Sequence, residues 1–394
     1  MIFLSERVRK EMYSEAASIW IVPALDKNYK TVIVMKLTSA PIKAMITNCK
    51  FEVSIAFHSN VLMCALTVYD IPESPLIVSK CISIEEELFS ITELLNKKKT
   101  LIFIFNELDI CIGWTYAELN GPGTKLRDII CNNQPYLGKF NHICSDALDL
   151  LQLALDNKIE FQNHNKIYVY TFEGKAEEWN INTNIFIGIN DQYPMTVDNK
   201  NEGEMFERSI WSSLTSVFPF TLYKSPQVKI GDKSREFTDI LAFDELGAIL
   251  IESKDLSVIQ AGFERSMERR VAGVKKQAKK AIGQLVGACN ALSRDEKIYD
   301  LNGNELDIKG DAPHHCIVLV TEINHHGDWN NIVEDLIDAF KETKCFFHTL
   351  DLRELISILK LSRSCPITLR KILVKRFQNF FQMKSVHIRF EKRC

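Results

Sequence analysis

The chain has 394 residues, of which 46% are apolar and 25% are charged, and its formal net charge is −3 at pH 7. This length is more than one typical domain needs and suits two, and the composition excludes a disordered, collagen-like or low-complexity protein. The longest apolar runs, such as 61–69, fall well short of the about 20 residues that cross a bilayer. We therefore expect a globular protein without a membrane partner.

The eleven cysteines favour a reducing compartment. Their number is odd, no two of them form a Cys-x-x-Cys pair, and the chain turns polar after four residues, too early for a secretory signal. Thiols of such a chain are expected to stay reduced and mostly buried. The expected location is cytoplasmic.

The first half of the chain reads as an α+β domain, expected to span residues 1–190. Its expected elements are a helix at 4–18, strands at 31–37, 51–57, 60–70 and 75–80, a helix after residue 83, and a strand at 101–105. Ser83 and Glu86 have the spacing of a capping box, which predicts the start of that helix. The turn at 121–123 lacks the spacing of a phosphate-binding loop, so nothing in this half indicates a nucleotide.

A polar, turn-rich segment at 188–203 marks the expected boundary, and residues 200–394 read as a second domain. Its expected elements are a helix at 204–217, strands at 220–230, 236–243 and 248–254, a long basic helix at 260–292, a strand at 316–320, a helix at 329–342, a strand at 345–349, and helices at 351–361 and 366–381. This order predicts an α/β domain whose mixed sheet is covered by helices on both faces, followed by a basic helical tail.

Two acidic residues stand out in the segment 235–254, which reads as two strands joined by the turn 244–247. If Phe243 pairs with Ala248, then Asp239 pairs with Glu252, and directly opposed residues have Cβ atoms about 4.5–5.5 Å apart. Two carboxylates at that distance repel each other. A divalent cation removes this conflict, and Mg²⁺ or Mn²⁺ prefers such oxygen ligands.

A lysine completes the group. Lys254 follows Glu252 by two residues and therefore projects from the same face, whereas Ser253 is expected to point away and to offer only its backbone carbonyl to the metal. An ammonium beside a metal-bound water can orient the water and ease its deprotonation. The alternative is an ordinary surface cluster of salt bridges, although that alternative does not explain why polar groups interrupt such apolar strands.

The segment resembles the core of the PD-(D/E)XK nuclease superfamily, which has the restriction-endonuclease-like fold. Asp239 matches the first acid of the family, and residues 252–254 match its Glu-x-Lys. Upstream, the sequence Gly-Glu-Met-Phe-Glu at 203–207 resembles the start of the first helix in the Mrr-like, NERD-like and Shedu-like branches. The resemblance covers about residues 202–360 and implies that Glu207, or alternatively Glu204, supports the metal.

The long basic helix resembles the family helix that carries a Gln or Lys near the scissile phosphate. Gln277 and Gln284 are seven residues apart and share a face, so the resemblance implies a catalytic contact for either of them, with Lys280 nearly between them. Basic residues on this helix suit a polyanionic partner, although a solvated helix face has the same composition. The residues expected to bind nucleic acid are Arg269, Arg270, Lys275, Lys276, Lys279 and Lys280.

Other polar groups of the second half are weaker candidates. Arg235 and Glu236 read equally well as a surface pair or as a contact to phosphate. Several histidines, among them 314, 315 and 348, lie near Cys316 and Cys345 in the sequence, but their spacings match no zinc motif and favour loop histidines near a nucleic-acid groove.

The sequence thus predicts a metal-dependent deoxyribonuclease, an endonuclease rather than an exonuclease, with RNA left open as a substrate. By analogy with free-standing nucleases, residues 1–190 would act as a sensor in bacterial defence against phage. Cutting of both strands favours a homo-oligomer. The alternative is a catalytically silent module of the same fold that binds nucleic acid or a signal.

Overall fold

The structure, a computed structural model, describes residues 4–24, 30–95, 97, 99–157, 167–187, 192–196, 202–230, 233–254, 267–308, 313–320, 323 and 327–388. The chain forms two compact units. One contains the described residues up to Asn184 together with Thr196, and the other contains Ile185–Met195 and the described residues from 202 onwards. Among the described helices, none is both long and apolar enough to span a bilayer.

The first unit is built on a nine-stranded sheet with helices packed against it. Its helices are α1 (Glu6–Ser14), α2 (Ser39–Ile46), α3 (Glu85–Leu94), α4 (Gly123–Asn132) and α5 (His142–Asn157). Its strands are β1 (Ser18–Pro23), β2 (Thr31–Lys36), β3 (Phe51–His58), β4 (Val61–Val68), β5 (Leu76–Cys81), β6 (Lys99–Phe105), β7 (Cys111–Asn120), β8 (Tyr168–Ala176) and β9 (Asn180–Ile181). The strand order is β1-β2-β6-β7-β8-β3-β4-β5, and β9 pairs with β7.

Two expectations for the first unit are wrong in detail. The helix expected at 4–18 ends at Ser14, because the next apolar residues form the buried strand β1, which pairs with β2. The capping box is absent, since α3 begins at Glu85 and its N-cap, Ile84, offers no side-chain acceptor. Glu87, rather than Glu86, has a carboxylate oxygen 3.5 Å from the backbone N–H of Ser83.

The second unit contains a five-stranded mixed sheet. Its helices are α6 (Glu202–Thr215), α7 (Met267–Ser293), α8 (Asn330–Thr343), α9 (Leu352–Ser362) and α10 (Pro366–Met383). Its strands are β10 (Asn184–Ile187, apart from its first residue), β11 (Gln192–Met195), β12 (Leu222–Lys224), β13 (Gln227–Ile230), β14 (Lys233–Glu236), β15 (Ile240–Asp244), β16 (Gly247–Lys254), β17 (Ile298–Tyr299), β18 (Glu305–Leu306), β19 (His315–Val320) and β20 (Phe346–Asp351). The five-stranded sheet has the order β12-β15-β16-β19-β20, and β14-β13-β17-β18 form a smaller sheet.

From α7 onwards, the helices and the strands of the five-stranded sheet begin and end within about two residues of the expected bounds, apart from the start of α7, since 255–266 lie outside the described residues. The short strands β17 and β18 were not expected. The strands expected at 220–230 and 236–243 differ from the observed strands in where they begin and end. Ser225, in a left-handed conformation with φ of 47°, and Pro226 divide the first into β12 and β13. The second begins only at Ile240, after β14 has joined the smaller sheet.

Helices flank the central sheet. Side chains of one face, including Leu241, Leu250 and Cys316, pack in one apolar cluster with buried residues of α7 and α8. Ile251 and Leu319, on the opposite face, are also fully buried, and α6 and α9 contact strands of this sheet. The fold is therefore mixed α/β, with the acid-bearing strand β16 in the middle of the sheet.

The basic tail is partly internal. Arg376, on α10, is buried and donates from Nε to a carboxylate oxygen of Glu354 at 2.9 Å. Arg370, six residues earlier on α10, donates to the carboxylate of Asp244 in the turn between β15 and β16. Two of the tail's cations therefore fix α10 to α9 and to the acid-bearing hairpin.

Candidate active site

The hairpin of β15 and β16 brings two carboxylates together at the centre of the sheet. Phe243 pairs with Ala248, so the predicted register is confirmed. Continued by one residue beyond β15, this register places Asp239 opposite Glu252. The backbone ahead of β15 is held in place because the Asp239 carbonyl accepts from the N–H of Ser225 at 2.8 Å.

Asp239 is oriented by the strand that it faces. Its Oδ2 accepts hydrogen bonds from the backbone N–H of Ser253 at 2.7 Å and from the Ser253 hydroxyl at 3.2 Å. Ser253 alternates with Glu252 and Lys254 along β16, as expected, but its hydroxyl was not expected to contact Asp239. It does so because Asp239 lies in a bend before β15, where regular strand pairing has ended. The metal contact expected of the Ser253 carbonyl stays a prediction.

Glu252 is nearly inaccessible to solvent, with 2% of its surface exposed, and its cationic partner is Lys254. The Lys254 Nζ donates to Glu252 Oε2 at 2.8 Å and also lies 3.4 Å from Asp239 Oδ2. Lys254 therefore projects from the expected face. One ammonium serves two carboxylates, so within the described structure one negative charge of the group has no cationic partner.

The electrostatics of the pair reflect this imbalance. Burial, followed by repulsion from Asp239, raises the pKa of Glu252 from 4.5 to about 7, although the hydrogen bond and charge of Lys254 oppose the rise. Burial alone would lower the pKa of Lys254, but its hydrogen bond to Glu252 and the charges of both acids outweigh burial and raise it. Lys254 therefore stays protonated, while Glu252 exchanges its proton near neutral pH.

One carboxylate oxygen of each acid remains available to bind a hard divalent cation. In the part of the chain that the structure describes, neither Asp239 Oδ1 nor Glu252 Oε1 has a hydrogen-bond partner. Two carboxylate oxygens from adjacent strands, completed by water, are the ligands that Mg²⁺ and Mn²⁺ take. A divalent charge would also relieve the repulsion that raises the pKa of Glu252.

A third carboxylate acts on the site. The charge of Glu236, the last residue of β14, is among the causes that raise the pKa of Glu252. The sequence offered Glu236 only as a surface charge or a phosphate contact. Its influence on Glu252 depends on β14 joining the smaller sheet, which local periodicity does not reveal.

The lysines of α7 divide into engaged and free side chains. Lys275 donates to a backbone carbonyl before α8 at 2.6 Å, and Lys279 forms an ion pair with an α8 carboxylate at 3.3 Å. Lys276 and Lys280 are exposed and, among the described residues, have no partner. Since they are four residues apart, they share one face of the helix.

The remaining helical candidates are placed only in part. Gln277 is half-buried and Gln284 is exposed, and neither amide forms a hydrogen bond within the described structure. For Glu204, Glu207, Arg269 and Arg270 the structure describes the helical backbone of α6 and α7, but their side chains lie outside what it describes. Their expected roles stay predictions.

Two of the histidines near the cysteines belong to the sheet interior rather than to loops. His315 and His348 lie on strands, are buried, and approach each other to 3.2 Å between Nδ1 and Nε2. The expectation of loop histidines is therefore wrong for these two, because they belong to the sheet interior. The pair at 325 and 326 lies outside the described residues.

No family model, curated protein or solved structure matches the chain.

Proposed function

We propose that the second unit is a nuclease that hydrolyses phosphodiester bonds of DNA with Mg²⁺ or Mn²⁺ as its cofactor. The observation that carries this proposal is the convergence of Asp239 and Glu252 on the Lys254 ammonium, with one oxygen on each acid that has no hydrogen-bond partner among the described residues. An order of helix, three strands, helix and strand around this group supports the resemblance to the PD-(D/E)XK superfamily.

Each side chain has a chemical task in this proposal. Asp239 Oδ1 and Glu252 Oε1 would hold the ion, which supplies an acidified water and charge stabilisation for the phosphate. The Lys254 ammonium has three donors, and the one not directed at the two acids is available to orient the attacking water. Rigid hydrogen bonds from Ser253 keep Asp239 in place, so the site costs little reorganisation when substrate binds.

The first test is cleavage of linear duplex, supercoiled and single-stranded DNA, and of RNA, by the full chain with Mg²⁺, Mn²⁺ or EDTA. Asp239→Asn and Lys254→Met should abolish cutting, since each removes one function while keeping the side-chain size. Glu245→Gln, which alters an exposed carboxylate in the turn of the same hairpin, should cut like the wild type. Metal-independent cutting, or cutting that survives in both site variants, would refute the assignment.

Metal binding has its own readout. Mg²⁺ or Mn²⁺ should raise the melting temperature of the wild type, and the rise should grow with the logarithm of the ion concentration above the dissociation constant, because ligands of the folded state stabilise by mass action. The rise should be absent in Asp239→Asn. An equal rise in that variant would place the ion elsewhere.

The free lysines of α7 predict how DNA is held. Each phosphate contact contributes about 0.9 to the slope of log affinity against log salt on duplex DNA, so the double variant Lys276→Ala/Lys280→Ala should lose up to about 1.8 in slope. Lys279→Ala is the matched control on the same helix, because Lys279 is already paired within the protein. If the control and the double variant lose the same amount of slope, DNA is held by the overall positive charge of the helix and not by the face that carries Lys276 and Lys280.

An alternative function is a silent module that binds nucleic acid or a signal without cutting. The presence of both acids and the lysine disfavours it, and unchanged DNA with intact binding in every metal condition would support it. In the nuclease proposal, the first unit would sense infection in defence against phage, and a homo-oligomer would cut both strands. Light scattering of the purified chain, with and without DNA, tests the oligomer.

A further inference from the structure

A second group of ligand-type side chains lies in the same unit, away from the acids. Cys289 of α7, Cys316 of β19 and Cys345, which directly precedes β20, place their sulfur atoms within 4.8 Å of one another. The Sγ atoms of Cys289 and Cys316 are 3.2 Å apart, and all three side chains are buried. Among the described residues, these are the three Cys, His or acidic side chains that converge closely enough to share one ion.

The position separates this cluster from the nuclease residues. Cys316 pairs with Leu250, whereas Glu252 pairs with Val318, so the cluster and Glu252 are offset by two residues, about 7 Å along the strand. Both lie on the face that α7 covers. The three cysteines come from a helix and two strand regions that are far apart in sequence, so their convergence is a product of the fold rather than of local spacing.

The geometry suits a thiophilic ion. A metal that holds sulfur at about 2.3 Å places neighbouring sulfurs about 3.8–4.0 Å apart. The observed separations, one of 3.2 Å and all within 4.8 Å, reach this arrangement with shifts of less than about 1 Å. Hard ions such as Mg²⁺ prefer oxygen, whereas thiolates select ions such as Zn²⁺ and Cu⁺.

We propose that Cys289, Cys316 and Cys345 form a structural site for one soft metal ion, Zn²⁺ or Cu⁺, that fastens α7 to the central sheet. Binding would replace three S–H bonds by three metal–sulfur bonds and release three protons to solvent, with no change in oxidation state. The site is independent of the proposed nuclease centre. It would hold the helix that carries Lys276 and Lys280 over the sheet.

The test uses the full chain, reduced and stripped of metal. One arm adds Zn²⁺ and the other adds Cu⁺ without oxygen, and elemental analysis after dialysis should give one ion per chain in one arm. Co²⁺ in place of Zn²⁺ should produce a thiolate charge-transfer band in the wild type. Cys289→Ser and Cys345→Ser should each retain no ion, whereas Cys64→Ala, which alters a buried cysteine of the first unit, should retain it.

Several results would overturn the proposal. Retention of no ion in either arm by fully reduced wild-type protein would do so, and so would full retention in both serine variants. A disulfide between Cys289 and Cys316 in the protein as purified, found by mass spectrometry, would assign the short sulfur contact to redox chemistry instead. Because the wild type alone gives the band and the stoichiometry, misfolding of a variant does not decide the matter.

Discussion

Replacement of Glu252 by Gln should stabilise the metal-free protein at pH 8 and do so far less at pH 5. Burial and the charge of Asp239 raise the pKa of Glu252 from 4.5 to about 7 in the fold. A carboxyl with a raised pKa binds its proton more tightly when the protein is folded, so its stabilising contribution is complete at low pH. That contribution is lost as the pH rises from 4.5 to about 7.

The expected magnitude follows from the shift. At about 1.4 kcal/mol per pKa unit, ionised Glu252 costs the fold about 3 kcal/mol above pH 7. For a unit of this size, the melting temperature of Glu252→Gln should exceed that of the wild type by about 6–12 °C at pH 8. Most of the difference should vanish at pH 5, where the folded wild type also carries a neutral side chain.

The assay is calorimetric unfolding of both proteins in EDTA at the two pH values. Other titrating groups cancel in the comparison, since they are common to both chains. Glu245→Gln should match the wild type at both pH values, because substitutions at exposed sites usually change stability by less than about 0.5 kcal/mol. If Glu252→Gln lowers the melting temperature equally at pH 5 and pH 8, Glu252 is a well-paired anion and the electrostatic account of the site is wrong.

Further expected outcomes concern buried groups and one helix. Arg376→Met should lower the free energy of unfolding by about 3–5 kcal/mol in urea titrations, because it removes the cation that pairs with the buried carboxylate of Glu354, and Arg376→Met/Glu354→Leu should regain most of this loss. Gly283→Ala, on α7, should raise the free energy of unfolding by about 0.5–1 kcal/mol, since a methyl group there meets no atom within 4 Å. A lower free energy of unfolding in this variant would mean that other residues cover this face of the helix. Burial lowers the pKa of His315 to about 3 and that of His348 well below 6.5, so the unfolded chain binds more protons below pH 6.5. His348→Gln should therefore gain stability relative to the wild type as the pH falls from 6.5 to 5, and no gain would show that His348 protonates within the fold.

The acid-bearing hairpin was predictable because its turn fixes its register. Asp244 accepts hydrogen bonds through Oδ1 from the N–H groups of Leu246 at 2.9 Å and Gly247 at 3.2 Å, which is the chemistry expected of a turn that begins with Asp and ends with Gly. Once Phe243 faces Ala248, the remaining pairs follow from the two-residue period of a strand. Local rules therefore sufficed for the part of the site that lies on adjacent strands.

The first unit was harder to predict because its signals are weak or ambiguous. In β7, inward positions such as Thr115 and Ala117 alternate with outward Trp114 and Tyr116, so the larger apolar residues lie on the exposed side. The alternation of apolar and polar residues that marks a half-buried strand is therefore not visible in the sequence of β7. The three-cysteine cluster was missed for a related reason, since Cys289 meets the other two only through the packing of α7 on the sheet.

The hairpin can carry two opposed acids because its other residues are strongly stabilising. Residues 248–251 of β16 are all fully buried, and each large apolar side chain among them contributes about 1.5–3 kcal/mol. That gain exceeds the roughly 3 kcal/mol that ionised Glu252 costs at neutral pH. If the acid had no function, an apolar residue in place of Glu252 would avoid this cost, and the protein would keep all of the stabilisation from residues 248–251. The nuclease proposal accounts for the two acids beside Lys254, next to the apolar run 248–251, by a ligand that needs their charge.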